Sequence, residues 1–384
     1  MSLLDNRELN NFVDIKVCDT HFHLSFQHRI EITIGIFRDI RKYFEYDRIA
    51  LLALNETTSK GCDPTNSIKA LYCKHCMSPY TYAFGSLFHY HDERDTSDSY
   101  LKQARKMWEM GFDGVKMLEG KPGLRKKLGK PLDDPIFDAF YSYLEENSIP
   151  LTMHVADPIS AWDISKVSDY ALKVGWYYGD GTFPTKEQLH SEVDGILTKF
   201  PKLRLNLAHF YFMEEQLECA DAFLDKWENV SFDLTANSQI YKYASLKPKK
   251  WHDFFVKHQN RLLFGTDTYN IPCKYEELEQ NVGYRPNFLR TFLERYEPFE
   301  YPNFENKIIP LGMEYSVLEN IYNNNCTRFL GAKPREIDCN MAIEECQRLL
   351  HAFECGESKV TNESDVPIVL ENLKIMIGDG NKKR

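Results

Sequence analysis

Eight short apolar segments punctuate the chain between residues 14 and 265: DIKVCD, RIALLAL, TYAFGSL, GVKML, PLTMHV, LRLNLA, VSFDL and LLFG. Nearly all are separated by stretches whose apolar residues recur at helical spacing, such as Ile34, Phe37, Ile40 and Phe44, or Leu101, Met107 and Met110 behind the capping-type DTSDS. Continuously apolar strands joined through helices belong to a parallel sheet covered on its outside. Eight such units over roughly 270 residues match a closed (β/α)8 TIM barrel, an α/β fold. A doubly wound open sheet is the competing arrangement. It usually carries a glycine-rich phosphate turn after its first strand, where this chain has Asp19-Thr20-His21-Phe22-His23. The barrel is therefore the expected fold.

Two regions break the alternation. Between Val155 and a helix expected to start near Thr185 lies a segment with Trp162, Trp176, Tyr177, Tyr178 and Phe183. It is longer than the usual loop after a barrel strand, and loops of that length are often functional. Within it, residues 160–174 carry the pattern of a short helix. Beyond the last barrel helix, residues 301–384 read as helical pieces, including EYSVLENIYNNNCTRFLG and MAIEECQRLLHAFE, with GDGNKKR expected to fray. The expected organisation is a barrel over 1–331 and, over 332–384, a helical extension packed on it.

The balance of 57 Asp and Glu against 47 Lys and Arg leaves a net charge of -10, which supplies no electrostatic footprint for nucleic acid or an acidic membrane. No window holds about 18 consecutive apolar residues, and MSLLDNRELNNF lacks a basic stretch followed by an apolar one, so a cytoplasmic location is expected. The 10 Cys are scattered, and reduced thiols are expected rather than a disulfide framework. Cys73 and Cys76 have a metal-type spacing, but no second pair completes a zinc site, and two thiols at a helix end is the plainer reading. The expected partner is a small-molecule substrate, with self-association left open.

In a barrel of this kind chemistry sits where the strands end. Strand one ends in His21-Phe22-His23, whose two-residue spacing turns both imidazoles to one side. Strand five ends in His154, strand six in His209 and strand eight in Asp267 within GTD. Singly, each has an ordinary explanation: His154 a hydrogen-bonded core histidine, Asp267 a helix N-cap, Asp19 a turn cap. Together, four of 12 His and one Asp at strand ends fit a catalytic site for divalent zinc, manganese or iron.

The chain resembles the amidohydrolase superfamily, in the branch of metal-dependent hydrolases and decarboxylases related to aminocarboxymuconate semialdehyde decarboxylase. The resemblance spans about residues 14–331 and is carried by CDTHFHL, GFDGVKML, LTMHVADP, WYYGDGTFP, FPKLRLNLAHF, LLFGTDTY and ENIYNNNCTRFLG. It implies one divalent metal held by His21, His23, His154 and Asp267, with His209 acting on the substrate. Some superfamily members carry a carboxylated lysine on strand four that bridges two metals. Lys116 in GVKML stands there; a single metal is usual in this branch, so a free ammonium that pairs with Glu119 or orients a substrate carboxylate is expected, with a carboxylated Lys116 and a second metal as the alternative.

The expected reaction is hydrolysis of an amide, ester or lactone of a small acidic or cyclic substrate by a metal-activated water, with zinc first and manganese or iron(II) as alternatives. Asp267 is the expected general base, and His209 the donor to the developing oxyanion. The alternative is non-oxidative decarboxylation of an unsaturated or aromatic acid; a barrel that binds without turnover is a third. Lys116, Glu119, Trp162, Tyr178 and Tyr211 are candidate substrate contacts.

Overall fold

Each of the eight apolar segments forms a strand. The computed structural model describes residues 12–24, 29–57, 61–62, 64–235, 238–269, 284–300, 306–355 and 365–382. The strands are β1 (Val17–His23), β2 (Tyr46–Leu52), β3 (Thr81–Ser86), β4 (Gly114–Gly120), β5 (Leu151–Val155), β6 (Leu205–Leu207), β7 (Val230–Asp233) and β8 (Leu262–Leu263). They pair in that order, all parallel. The ring closes just past β8, where the Thr20 N–H donates to the Phe264 carbonyl at 3.0 Å, Asp267 to His21 at 2.8 Å and His23 to Thr268 at 2.9 Å. Every residue of β1, β3, β5 and β6 is buried, as a sheet covered on both faces requires.

The helices between strands start where the sequence offers caps. Thr96 and Ser99 form a capping box for Ser97–Met110, and Gly111, at φ 99°, ends that helix in the left-handed conformation glycine tolerates. Thr185 and Gln188 do the same for Lys186–Lys199, at the position expected. The helix expected over 160–174 shrinks to Asp169–Lys173, capped by Ser168, behind a 3-10 turn at Ile159–Trp162. Asp163 is the reason: its carboxylate accepts the N–H and the hydroxyl of Ser165, at 2.9 and 2.6 Å, a local turn that competes with helix.

The amino-terminal end of the barrel is covered by a helical run comprising Tyr315–Glu319, a π-helical turn at Asn320–Asn324, and Asn325–Leu330. The Phe264 N–H reaches the Ile321 carbonyl at 3.1 Å. Arg48 reaches Asn323 and Thr327 at 2.9 and 3.0 Å, and Phe329 stacks on Phe84. A disulfide joins Cys18 of β1 to Cys326, both fully buried, where reduced thiols were expected. The two cysteines stand 308 residues apart in sequence, so only barrel closure reveals the pairing. Cys73 and Cys76 are free, at the end of the helix Asn66–Cys76.

The helix Cys339–Glu354 packs beside Ser97–Met110 through a Lys106–Glu345 ion pair and the Asp338 N–H on the Met110 carbonyl at 3.1 Å. The last helix, Asp365–Lys382, continues through the GDGNK expected to fray. At its start the Asp365 carboxylate accepts the Ile30 N–H at 3.2 Å. Among the described residues no helix is long and apolar enough to cross a membrane.

Candidate metal centre

The end of β1 turns His21 and His23 into the mouth of the barrel. His21 Nδ1 lies 3.0 Å from Asp233 Oδ2, at the end of β7, and His23 Nδ1 lies 2.9 Å from the Leu52 carbonyl, at the end of β2. Burial opposes the Asp233 carboxylate, but His21, His209 and the Thr235 hydroxyl together outweigh it and hold the group anionic. Burial first, then the nearby Lys116, push His21 down to about 4, so its ring is neutral at pH 7. A carboxylate and a carbonyl only accept, so both Nδ1 atoms carry the hydrogen and both Nε2 atoms carry a lone pair. Those two Nε2 atoms are 3.0 Å apart, and Asp267 Oδ1 is 3.6 Å from the first and 3.2 Å from the second. Two imidazole lone pairs and a carboxylate oxygen so disposed repel one another unless a cation lies among them. This donor set suits a divalent ion such as zinc, manganese or iron.

Burial opposes the Asp267 carboxylate, but the Arg285 guanidinium beside it holds the group well below the usual carboxylate range. Arg285 Nη1 sits 3.2 Å from Oδ2 and also donates to the Asp267 carbonyl, leaving Oδ1 for the imidazoles. Gly265 permits this approach of chain ends: a Cβ there would lie 2.9 Å from the Cβ of His21 and 2.8 Å from Thr235 Cγ2.

His154 and His209 complete the cluster, with ring centroids 4.8 Å apart and His209 5.3 Å from His21. His154 lies outside the tight His21, His23 and Asp267 group. Its Nε2 faces Asp157 Oδ1 at 3.3 Å. His209 Nδ1 lies 2.9 Å from Thr235 Oγ1, whose hydroxyl donates to Asp233 Oδ1 at 2.6 Å. Thr235 must therefore accept from His209, so neutral His209 offers a lone pair at Nε2, not the hydrogen an oxyanion donor needs. Residues His209 to Phe212 all have φ between 49° and 59°, and Asp267 has φ 50°. Left-handed backbone at residues with side chains costs roughly 1–2 kcal/mol each, and such strain concentrates at functional sites.

Lys116 is fully buried in the lumen, and burial pushes its ammonium down to about 8 against the pull of Asp233, Asp267 and Glu119. Its Nζ has no hydrogen-bond partner among the described residues. The expected Glu119 partner is occupied otherwise: its Oε1 faces His89 Nε2 at 2.7 Å, and His89 Nδ1 reaches the Tyr100 hydroxyl at 2.9 Å. Trp162, Tyr178 and Tyr211 direct their polar ends into the protein, onto the Pro184 carbonyl, Asp157 Oδ2 and the His190 carbonyl at 3.1, 2.7 and 3.5 Å. Asp233, Thr235, Asp157 and Arg285 escaped the sequence reading. Asp233 had a signal, a carboxylate closing the apolar VSFDL, whereas Arg285 lies outside every motif.

The amidohydrolase family model matches residues 61–331, well over half of the chain. The chain belongs to the amidohydrolase family. The match begins after β2, so β1 and its two histidines enter through the strand pairing. This amidohydrolase is accordingly a hydrolase-type enzyme of a superfamily that generally uses divalent metals. Its fold is similar to that of a TIM-barrel protein of Bordetella bronchiseptica, at 14% identity and TM-score 0.51, covering 82% of this chain and 98% of that one. Metarhizium anisopliae IDCase aligns at 13% identity and TM-score 0.51, covering 83% and 97%. The 4-oxalomesaconate hydratase of Rhodopseudomonas palustris aligns at 12% identity and TM-score 0.50, covering 89% and 100%. These likenesses concern the fold alone. No curated protein matches the chain.

Proposed function

We propose that this amidohydrolase hydrolyses an amide, ester or lactone of a small acidic or cyclic substrate, using one divalent ion, zinc first, held by His21, His23, Asp267 and His154. The observation that carries the reading is the pair of Nε2 lone pairs 3.0 Å apart beside Asp267 Oδ1. A divalent ion bound there would supply a Lewis acid and bring the pKa of water from about 15.7 toward 7. The chain supplies the rest. Asp267, kept anionic by Arg285, takes the proton of the attacking water and returns it to the leaving group. His209 Nε2, its lone pair set by Thr235, is the second proton acceptor. Lys116 contributes positive charge at the floor of the mouth, which favours an anionic substrate.

The test is elemental analysis of the purified protein, followed by a screen of amides, esters and lactones that also monitors carbon dioxide release from carboxylic acids. About one equivalent of zinc, manganese or iron supports the reading; no metal after reconstitution overturns it. Carbon dioxide release without hydrolysis replaces hydrolysis with decarboxylation.

One observation favours a second reading, in which carboxylated Lys116 bridges two ions, the second held by His154 and His209. The buried Nζ lacks a hydrogen-bond partner among the described residues, and a lowered pKa makes the neutral amine accessible to carbon dioxide. Metal content near two equivalents, dependent on dissolved carbon dioxide, would establish it.

A further inference from the structure

The strand-five histidine is held by a group the mechanism does not use. Beyond His154 the chain doubles back at Ala156, whose φ is 68°, and brings Asp157 round to face the imidazole three residues before it. The turn is pinned by the Ala156 N–H on the Gly120 carbonyl at 2.9 Å, where β4 ends. Glycine is required at that point, since a Cβ on Gly120 would stand 2.3 Å from the His154 carbonyl oxygen. Asp157 is buried and fully engaged. Its Oδ1 lies 2.8 Å from Lys121 Nζ and 3.3 Å from His154 Nε2, and its Oδ2 lies 2.7 Å from both Lys121 Nζ and the Tyr178 hydroxyl.

The direction of each bond follows from the donors. Lys121 has only hydrogens to give. With an ammonium 2.7–2.8 Å from both oxygens Asp157 is a carboxylate and accepts from every side, so His154 donates from Nε2 and keeps its lone pair at Nδ1. Tyr178 comes from the long aromatic loop after β5, where its own N–H is tied to the Ala161 carbonyl at 2.8 Å. The neighbouring Trp176 ring lies 4.3 Å from Lys121 Nζ. The loop is thus anchored on the same carboxylate that orients the imidazole.

We infer that Asp157 is a positioning residue that fixes His154 with the Nδ1 lone pair available to the metal centre, and that Tyr178 couples the docking of the long loop to that orientation. The inference rests on the reading of His154 as a ligand. An outer carboxylate that holds a ligating imidazole sets its tautomer and raises its basicity, and its loss typically weakens metal binding about 10- to 100-fold.

The test combines a readout without metal and one with it. Long-range nitrogen–proton NMR on the metal-free chain, with His154 assigned through His154→Gln, is expected to show the Nε2–H tautomer in the wild type and its loss in Asp157→Ala, which leaves no acceptor for that hydrogen. Chelator competition is expected to show zinc binding about 10- to 100-fold weaker in Asp157→Ala. Tyr178→Phe removes one hydrogen bond, leaves the charge pair in place and is expected to weaken zinc about fivefold. Circular dichroism melting establishes that each variant folds; should Asp157→Ala not fold, Tyr178→Phe carries the test. An Nδ1–H tautomer in the wild type, or zinc affinity unchanged in the folded variants, overturns the inference. Failure of the wild type to bind any ion overturns the metal reading beneath it, and is distinguished because the tautomer is read without the ion.

Discussion

Asp233 reaches His21 Nδ1 at 3.0 Å with one carboxylate oxygen, while its other oxygen accepts the backbone N–H of His209 at 2.9 Å and the Thr235 hydroxyl at 2.6 Å. One side chain at the end of β7 therefore sets the tautomers of the imidazole at the end of β1 and, through Thr235, of the one just past β6. Asn206, on β6, donates to the same carboxylate at 2.8 Å, and the Thr235 N–H approaches it at 3.3 Å, so both oxygens are fully engaged.

Replacing Asp233 by Ala should release the His21 tautomer and weaken metal binding about 10- to 100-fold, the usual cost of losing an outer partner of a ligating histidine. Asp233→Asn should be milder, since an amide oxygen still accepts from Nδ1. Competition against a metal-sensitive dye measures both. Equal affinity in the wild type and Asp233→Ala would count against His21 as a ligand.

The double variant His21→Ala, His23→Ala removes both converging lone pairs and is expected to bind no metal by elemental analysis. Changing Cys73 and Cys76 to Ser should leave metal content untouched, because these free thiols lie on the helix Asn66–Cys76 and not at the barrel mouth. A metal deficit in the cysteine variant would move the centre elsewhere.

The variants Asp267→Asn and His209→Ala separate ligand from proton acceptor. Asn still coordinates through oxygen but accepts no proton, so turnover should fall by two or more orders of magnitude with part of the metal retained. His209→Ala should lose turnover and keep the ion if Nε2 serves the substrate. Loss of metal in His209→Ala would instead assign that nitrogen to a second ion.

His190 provides a pH dependence away from the centre. Its ring stacks 4.2 Å from Tyr211, and burial, with the nearby Lys186 charge, pushes it down to about 3 from 6.5. The folded state therefore binds fewer protons than the unfolded chain between those values, and stability falls as pH drops from 6.5 toward 3. At pH 5 this amounts to about 2 kcal/mol. His190→Phe keeps a ring against Tyr211 and should flatten that part of the profile, measured by denaturant melts between pH 5 and 7. An unchanged slope would show that His190 is protonated in the fold.

The alternation of apolar strands and amphipathic helices determined the barrel, because burial on both faces imposes a pattern that each segment carries locally. The same local logic put His21, His23, His154, His209 and Asp267 at strand ends, and strand ends of a barrel converge. Which nitrogen each imidazole presents was decided only by tertiary structure. Asp233, Thr235, Leu52 and Asp157 choose the tautomers from other strands or across a left-handed turn, and no spacing along the chain encodes those contacts. The same holds for the Cys18–Cys326 bond and for Arg285 on Asp267, which exist because the ring closes. Trp162, Tyr178 and Tyr211 show the converse: an aromatic side chain looks alike in sequence whether it faces a substrate or the protein, and here each polar end finds an acceptor within the fold.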